Sequence, residues 1–140
     1  MKSSEKLCWV YMTAGSIEEA KKIGQILVQQ NLSACVNILE NMISIYKWED
    51  KLEEDNEVVM IAKTRKKLMP KLIKTVKSYN SYNCACILEL PINGGNPEFL
   101  SWIETVKRHH GYDCPCILEL PIQGGNPDFL KWILGETDVK

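Results

Sequence analysis

Histidine is scarce in this sequence of 140 residues: there are two, His109 and His110, and they are adjacent. No histidine stands elsewhere to build a Ser/His/Asp or Cys/His nucleophile at useful spacing, and no G-x-G-x-x-G phosphate loop occurs. The chain therefore shows no carrier of enzymatic chemistry and is expected not to be an enzyme. It also lacks a charge excess, with 17 basic against 18 acidic residues, net charge -1 and a pI near 6.1. Without a basic field to gather phosphates, nucleic acid is excluded as a partner. The longest apolar runs, "LCWVYM" and "VVMIA", fall far below the ~20 residues of a membrane helix, so no membrane span is expected. The amino-terminal "MKSSEKLCWV" has neither the apolar stretch nor the small-residue cleavage site of a signal peptide, and a cytoplasmic setting is the expectation. Six cysteines in that setting are expected to be thiols.

What is present suits one compact domain over residues 1–140: 45% of residues are apolar and 25% charged, an ordinary globular balance. "LCWVYM" reads as a first strand. Ser16 with Glu19 three positions on is a capping box, and Ala20, Ile23, Leu27 and Val28 recur at helical spacing, so a helix is expected to about Asn31. "SACVNILENMISIYKW" and "NEVVMIAKT" are rich in β-branched and aromatic residues and read as two strands, with Glu49 to Asn56 as the turn between them. In "RKKLMPKLIKTVKSY", Leu68, Leu72, Ile73 and Val76 share one helical face, with Pro70 near the first turn. "CACILELPI" reads as a fourth strand, with Cys84, Cys86, Leu88, Leu90 and Ile92 on one face. Asn96 then caps a helix carrying Phe99, Trp102 and Ile103. The fold class is α+β: a ferredoxin-like βαββαβ sandwich, helices on one face, with a trailing C-terminal helix.

The chain then repeats itself. Residues 73–102 and 103–132 agree at 20 of 30 aligned positions, beginning abruptly at "I-x-T-V-K" and running through "C-x-C-I-L-E-L-P-I-x-G-G-N-P-x-F-L-x-W". A solenoid needs about three or more units to bury a core, and this unit, a helix end, one strand and a helix start, has none of its own. The domain is thus extended by a duplicated strand-helix segment, and two copies compete for one slot. Loop closure favours the nearer copy, so residues 84–92 are expected in the sheet.

Three groups could carry chemistry. The two C-x-C pairs offer zinc four thiolates, but on a strand both sulfurs of each pair point to the face of Leu88 or Leu118, and packing is their expected role. "EDKLEEDNE", Glu49 to Glu57, has six carboxylates in nine residues. It lacks the glycine and ligand spacing of a calcium loop and is read as a solvated hairpin tip. The imidazoles of His109 and His110 suit copper, zinc or nickel, although an adjacent pair in a loop also fits a plain surface turn.

"ACVNI" (Ala34 to Ile38), "SIYKWEDKLEED" (Ser44 to Asp55), "IAKT" (Ile61 to Thr64) and "HGYDCPCILELPI" before "GNPDFLKWI" together resemble the CutA family of divalent-cation tolerance proteins. The resemblance covers the chain apart from the extra thirty residues. It implies a ferredoxin-like fold, a cytoplasmic homotrimer joined through strand edges, and a link to copper and other divalent metal ions. Its proposed copper ligands fall on Met12, where the family example has cysteine, and on His109 and His110; a thioether suits Cu(I) better than Cu(II) or zinc. A trimeric signalling or adaptor module, resembling PII-type regulators and binding a small ligand between subunits, is the alternative implied by the same architecture.

Overall fold

The computed structural model describes residues 6–104 and 114–138. The chain runs β1 (Leu7–Ala14), α1 (Ile17–Gln29), β2 (Cys35–Trp48), β3 (Lys51–Arg65), a single 3-10 turn (Lys66–Leu68), α2 (Met69–Tyr79), β4 (Ile87–Ile92), β5 (Gly94–Gly95), α3 (Pro97–Glu104), β6 (Leu118–Glu119) and α4 (Pro127–Glu136). Strands β2, β3, β1 and β4 form an antiparallel sheet in that order, the arrangement of a ferredoxin-like fold. The first copy of the repeated segment therefore fills the place beside β1, as loop closure predicts.

Alternation along β1 sorts the side chains onto two faces. Cys8, Val10, Met12 and Ala14 point to one side, where Ala20, Ile23 and Leu27 of α1 and Leu72 and Val76 of α2 complete the main core. Helix α1 starts as the capping box requires, with the Glu19 amide donating to Ser16 Oγ at 3.1 Å. The trailing helix α3 lies elsewhere. Phe99 and Ile103 seal a second cluster with Ala34, Leu7 and Ile92 on the other side of the sheet, so the helices do not all share one face.

Two expectations are corrected. The turn of the β2–β3 hairpin is Glu49–Asp50 alone, both at positive φ (51° and 64°), and the acidic run from Lys51 onward is strand. Its carboxylates stay in β conformation because Tyr46, Ser44 and their neighbours supply cross-strand partners. In β4 the strand begins at Ile87 rather than Cys84, and Ile87, not Leu88, faces the main core. The register decides this: Ile87 lies opposite the buried Met12, directly opposed residues share a face, and Leu88 is left exposed opposite Tyr11. As an edge strand, β4 also accommodates Pro91, which has no N–H to give a ladder.

The second copy packs differently. Its strand is reduced to Leu118–Glu119, paired with Gly94–Gly95, and fastened by the Asn93 amide to the Glu119 carbonyl (3.0 Å) and the Asn96 amide to the Ile117 carbonyl (2.8 Å). Gly95 is needed there: at φ +146° it lies so close that an added Cβ would sit 2.1 Å from the Ile117 carbonyl oxygen. Helix α4 follows with no buried residue.

Candidate functional site

Among the described residues, no helix covers the face of the sheet away from α1 and α2 where β1, β2 and β3 run toward the hairpin. Sequence alternation alone would put Met42 and Ser44 with Val36 and Ile38, on the helix-covered side. A bulge between Leu39 and Met42, with Asn41 at φ 67°, slips the register by one and turns Met42, Ser44, Tyr46 and Trp48 to the uncovered side. Across the ladder, Glu53, Asp55 and Glu57 present on the same side, and Tyr11 and Thr13 of β1 complete the floor. The loop after α2 closes one wall with Tyr82, Cys84 and Cys86. The result is an open cavity of about 800 Å³.

Its polar atoms are joined to one another. Tyr82 donates its hydroxyl to Glu57 Oε2 at 2.7 Å, and Ser44 donates to the other oxygen of the same carboxylate. Tyr46 donates to Asp55, and Tyr11 to the Met42 sulfur at 3.4 Å. Partial burial, then the Glu57 carboxylate accepting its proton, pushes the Tyr82 phenol well above the ordinary range. The bond to Asp55 raises the Tyr46 phenol to about 12. Burial raises Cys86 as well, against a Thr13 hydrogen bond that lowers it. These phenols and this thiol stay protonated at neutral pH and act as donors rather than nucleophiles. The loop is itself pinned: Asn80 Nδ2 donates to the Thr13 carbonyl (3.1 Å), and its Oδ1 accepts from the Tyr82 amide (2.9 Å).

Of the ligand candidates, Met12 is fully buried in the main core, on the opposite side of the sheet from the cavity. His109 and His110 lie outside the described residues. Among the described residues no group of three or more His, Cys, Asp or Glu side chains is arranged to hold a metal ion, so the cavity does not fit one as it stands. The cysteines are free thiols: Cys8 is buried, while Cys84 and Cys116 are exposed. Packing is thus the role of Cys8, whereas Cys84 and Cys86 line the cavity. Sequence reasoning misses the cavity because it takes Glu49 to Asn56 as a turn. The signal is there in the spacing of Ser44, Tyr46 and Trp48 against Glu53, Asp55 and Glu57.

A family model described as CutA1 divalent ion tolerance protein matches residues 8–106 and, a second time, residues 103–136. The chain belongs to this family. The first match takes in the four-stranded sheet from Cys8 onward, and the second falls on the repeated segment. Among curated relatives, "Divalent-cation tolerance protein CutA" of Thermus thermophilus is 40% identical over 94 residues, 67% of this chain and 91% of its own length. "Protein CutA" of Mus musculus is 40% identical over 93 residues, 66% of this chain but 52% of the relative, so this chain spans about half of that protein. Among solved structures, the periplasmic divalent cation tolerance protein CutA of Archaeoglobus fulgidus superposes with a TM-score of 0.69 at 40% identity, covering 71% of this chain and 97% of that one. CutA1 of Oryza sativa gives 0.71 at 34% identity, covering 75% and 96%. In this CutA-family chain no helix among the described residues is long and apolar enough to cross a membrane.

Proposed function

We propose that this CutA-family chain is a cytoplasmic, non-enzymatic homotrimer that binds copper and takes part in the response to divalent metal ions. Family membership carries the metal reading, since the relatives' names link them to divalent-cation tolerance. Within the chain, the adjacent imidazoles of His109 and His110 are the candidate ligands with the right chemistry, and Met12 is the third. The Met12 thioether is enclosed by the core, so it joins only if the sheet opens beside Ile87. Titration of Cu(I), Cu(II) and Zn(II) into the parent chain and a His109→Ala, His110→Ala variant tests the assignment. Weaker copper binding by the variant is expected; equal binding by both proteins would overturn it.

The homotrimer is supported by the far half of the β2–β3 hairpin. Among the described residues, 42–48 and 51–57 form strand pairs only with each other, beyond the end of β1, and expose Ile43, Ile45 and Leu52 on one face. A two-stranded ribbon of that length with a bare apolar face needs a cover. Light scattering should give the mass of three chains, and Ile45→Glu with Leu52→Glu should reduce it to one.

A second reading, a small-ligand module, is favoured by the cavity. Tyr11, Tyr82 and Trp48 offer aromatic faces beside the carboxylates of Glu53, Asp55 and Glu57, a combination suited to a small cationic group. Ligand binding lost in Glu57→Gln but kept in the histidine variant would favour it over the metal reading.

A further inference from the structure

The groups through which the first copy holds the body of the fold are written again thirty residues later. Ile87 packs into the main core opposite Met12, and the second copy has Ile117. Glu89 meets Lys66 at 2.5 Å, and the second copy has Glu119. Phe99 and Ile103 close the second cluster, and the second copy has Phe129 and Ile133. These repeated residues are not held equivalently, for Ile117, Ile122 and Phe129 are exposed. The described backbone ladder that fixes the second copy is two residues long on each strand.

We propose that the edge of β1 is a binding slot with two interchangeable occupants in one chain, and that residues 117–133 exchange with residues 87–103 in it. Both occupants present "ILELPI" to β1 and a Gly-Gly-Asn-Pro-capped helix to the far face, so the packing formed by the incoming copy matches the packing released by the outgoing one. Beyond the short ladder that the second copy now makes with Gly94–Gly95, what separates the two states is chain length. Seven residues, 80 through 86, join α2 to the present occupant, and thirty-seven, 80 through 116, would join it to the other. Closure entropy scales as the three-halves power of loop length, which favours the first copy by about tenfold. The second state is therefore a standing minority, not a rare accident. The occupants differ just upstream of the shared "ILELPI": Asn80, Asn83 and Ala85 precede one, His110, Asp113 and Pro115 the other. Exchange thus preserves the sheet and changes which residues precede the strand that fills it.

The test uses the full chain. Ile87→Asp with Phe99→Asp puts a carboxylate into each of the two clusters that seat the first copy, and Ile117→Asp with Phe129→Asp does the same to the second. With the first pair alone the chain should stay folded, and amide hydrogen exchange at Leu118, Glu119, Leu120 and Ile122 should slow by at least about tenfold while that at Leu88, Glu89, Leu90 and Ile92 speeds up. All four substitutions together should unfold it. If the first pair unfolds the chain as completely as all four, or if it stays folded with exchange at Leu118, Glu119, Leu120 and Ile122 unchanged, the slot has one occupant and the proposal is wrong.

Discussion

Phe99 and Phe129 occupy the same place in two copies of one sentence, yet Phe99 is 5% exposed and Phe129 57%. Each sits one turn before a tryptophan and touches it, with ring centroids 5.2 Å apart in one case and 5.4 Å in the other. Local structure is therefore nearly the same: both segments make a helix behind an Asn cap and a proline. Only the tertiary surroundings differ. The same contrast appears at the glycines, where a Cβ on Gly95 would strike the backbone of Ile117 and one on Gly125, at φ +150°, would meet nothing within 4 Å. Sequence specified the element in each case, and the availability of a partner surface decided whether it was buried.

The largest effect belongs to the floor that both occupants share: Met12→Ala should cost about 2–5 kcal/mol in denaturant unfolding, since neither copy can replace a core side chain of β1. A loss under about 1 kcal/mol would mean that β1 is not the common floor. Next comes Phe99→Ala. A fixed occupant would lose about 3–5 kcal/mol, but an exchangeable one should lose no more than about 1.4 kcal/mol, the tenfold gap between the states. Phe129→Ala should lie within about 0.5 kcal/mol of the parent, and equal losses at the two positions would erase the contrast.

Smaller effects sharpen it. Asn96 accepts from the Glu98 amide at 3.1 Å and also donates to the Pro115 carbonyl at 2.9 Å, whereas Asn126 has the corresponding cap bond. Asn96→Ala should therefore cost about 1 kcal/mol, and Asn126→Ala about half of that, with thermal midpoints as the readout. The smallest is a pH effect. Burial, with Glu89 adding to it, raises the Cys8 thiol from 9.0 to about 11. A folded-state value above the unfolded one means that this contribution is complete below pH 9 and is lost as pH rises toward 11. Cys8→Ala should flatten that decline without abolishing it, because the tyrosines around the cavity titrate in the same direction.

Much of the fold could be read from patterns that act locally. The Ser16 capping box, the apolar face of α2 and the β-branched strands all appear where periodicity put them. What could not be read depends on register. The bulge at Asn41 turns four side chains over, and although asparagine tolerates the positive φ there, it does not by itself fix the register. Likewise Glu49 and Asp50 adopt positive φ without glycine, so the tight turn leaves no signature and the acidic run looks like loop. The candidate site inherits both difficulties, for its aromatic wall and its carboxylates flank that bulge and that turn. His109 and His110 stand out in the sequence as an adjacent imidazole pair, whereas Met12 enters as a candidate only through family resemblance, and its core position follows from its place in β1.

Pro91 has a further implication. A residue with no amide hydrogen one position from the end of a six-residue strand is tolerable where one side of that strand is unpaired, and the second copy carries the same proline as Pro121. Each copy is thus built to terminate a sheet. A duplicated strand without that residue could have zipped onto its twin and lengthened the sheet to five, opening a path to unlimited edge-to-edge growth. Because the punctuation was duplicated along with the word, the chain acquired an alternative ending instead of a longer sentence.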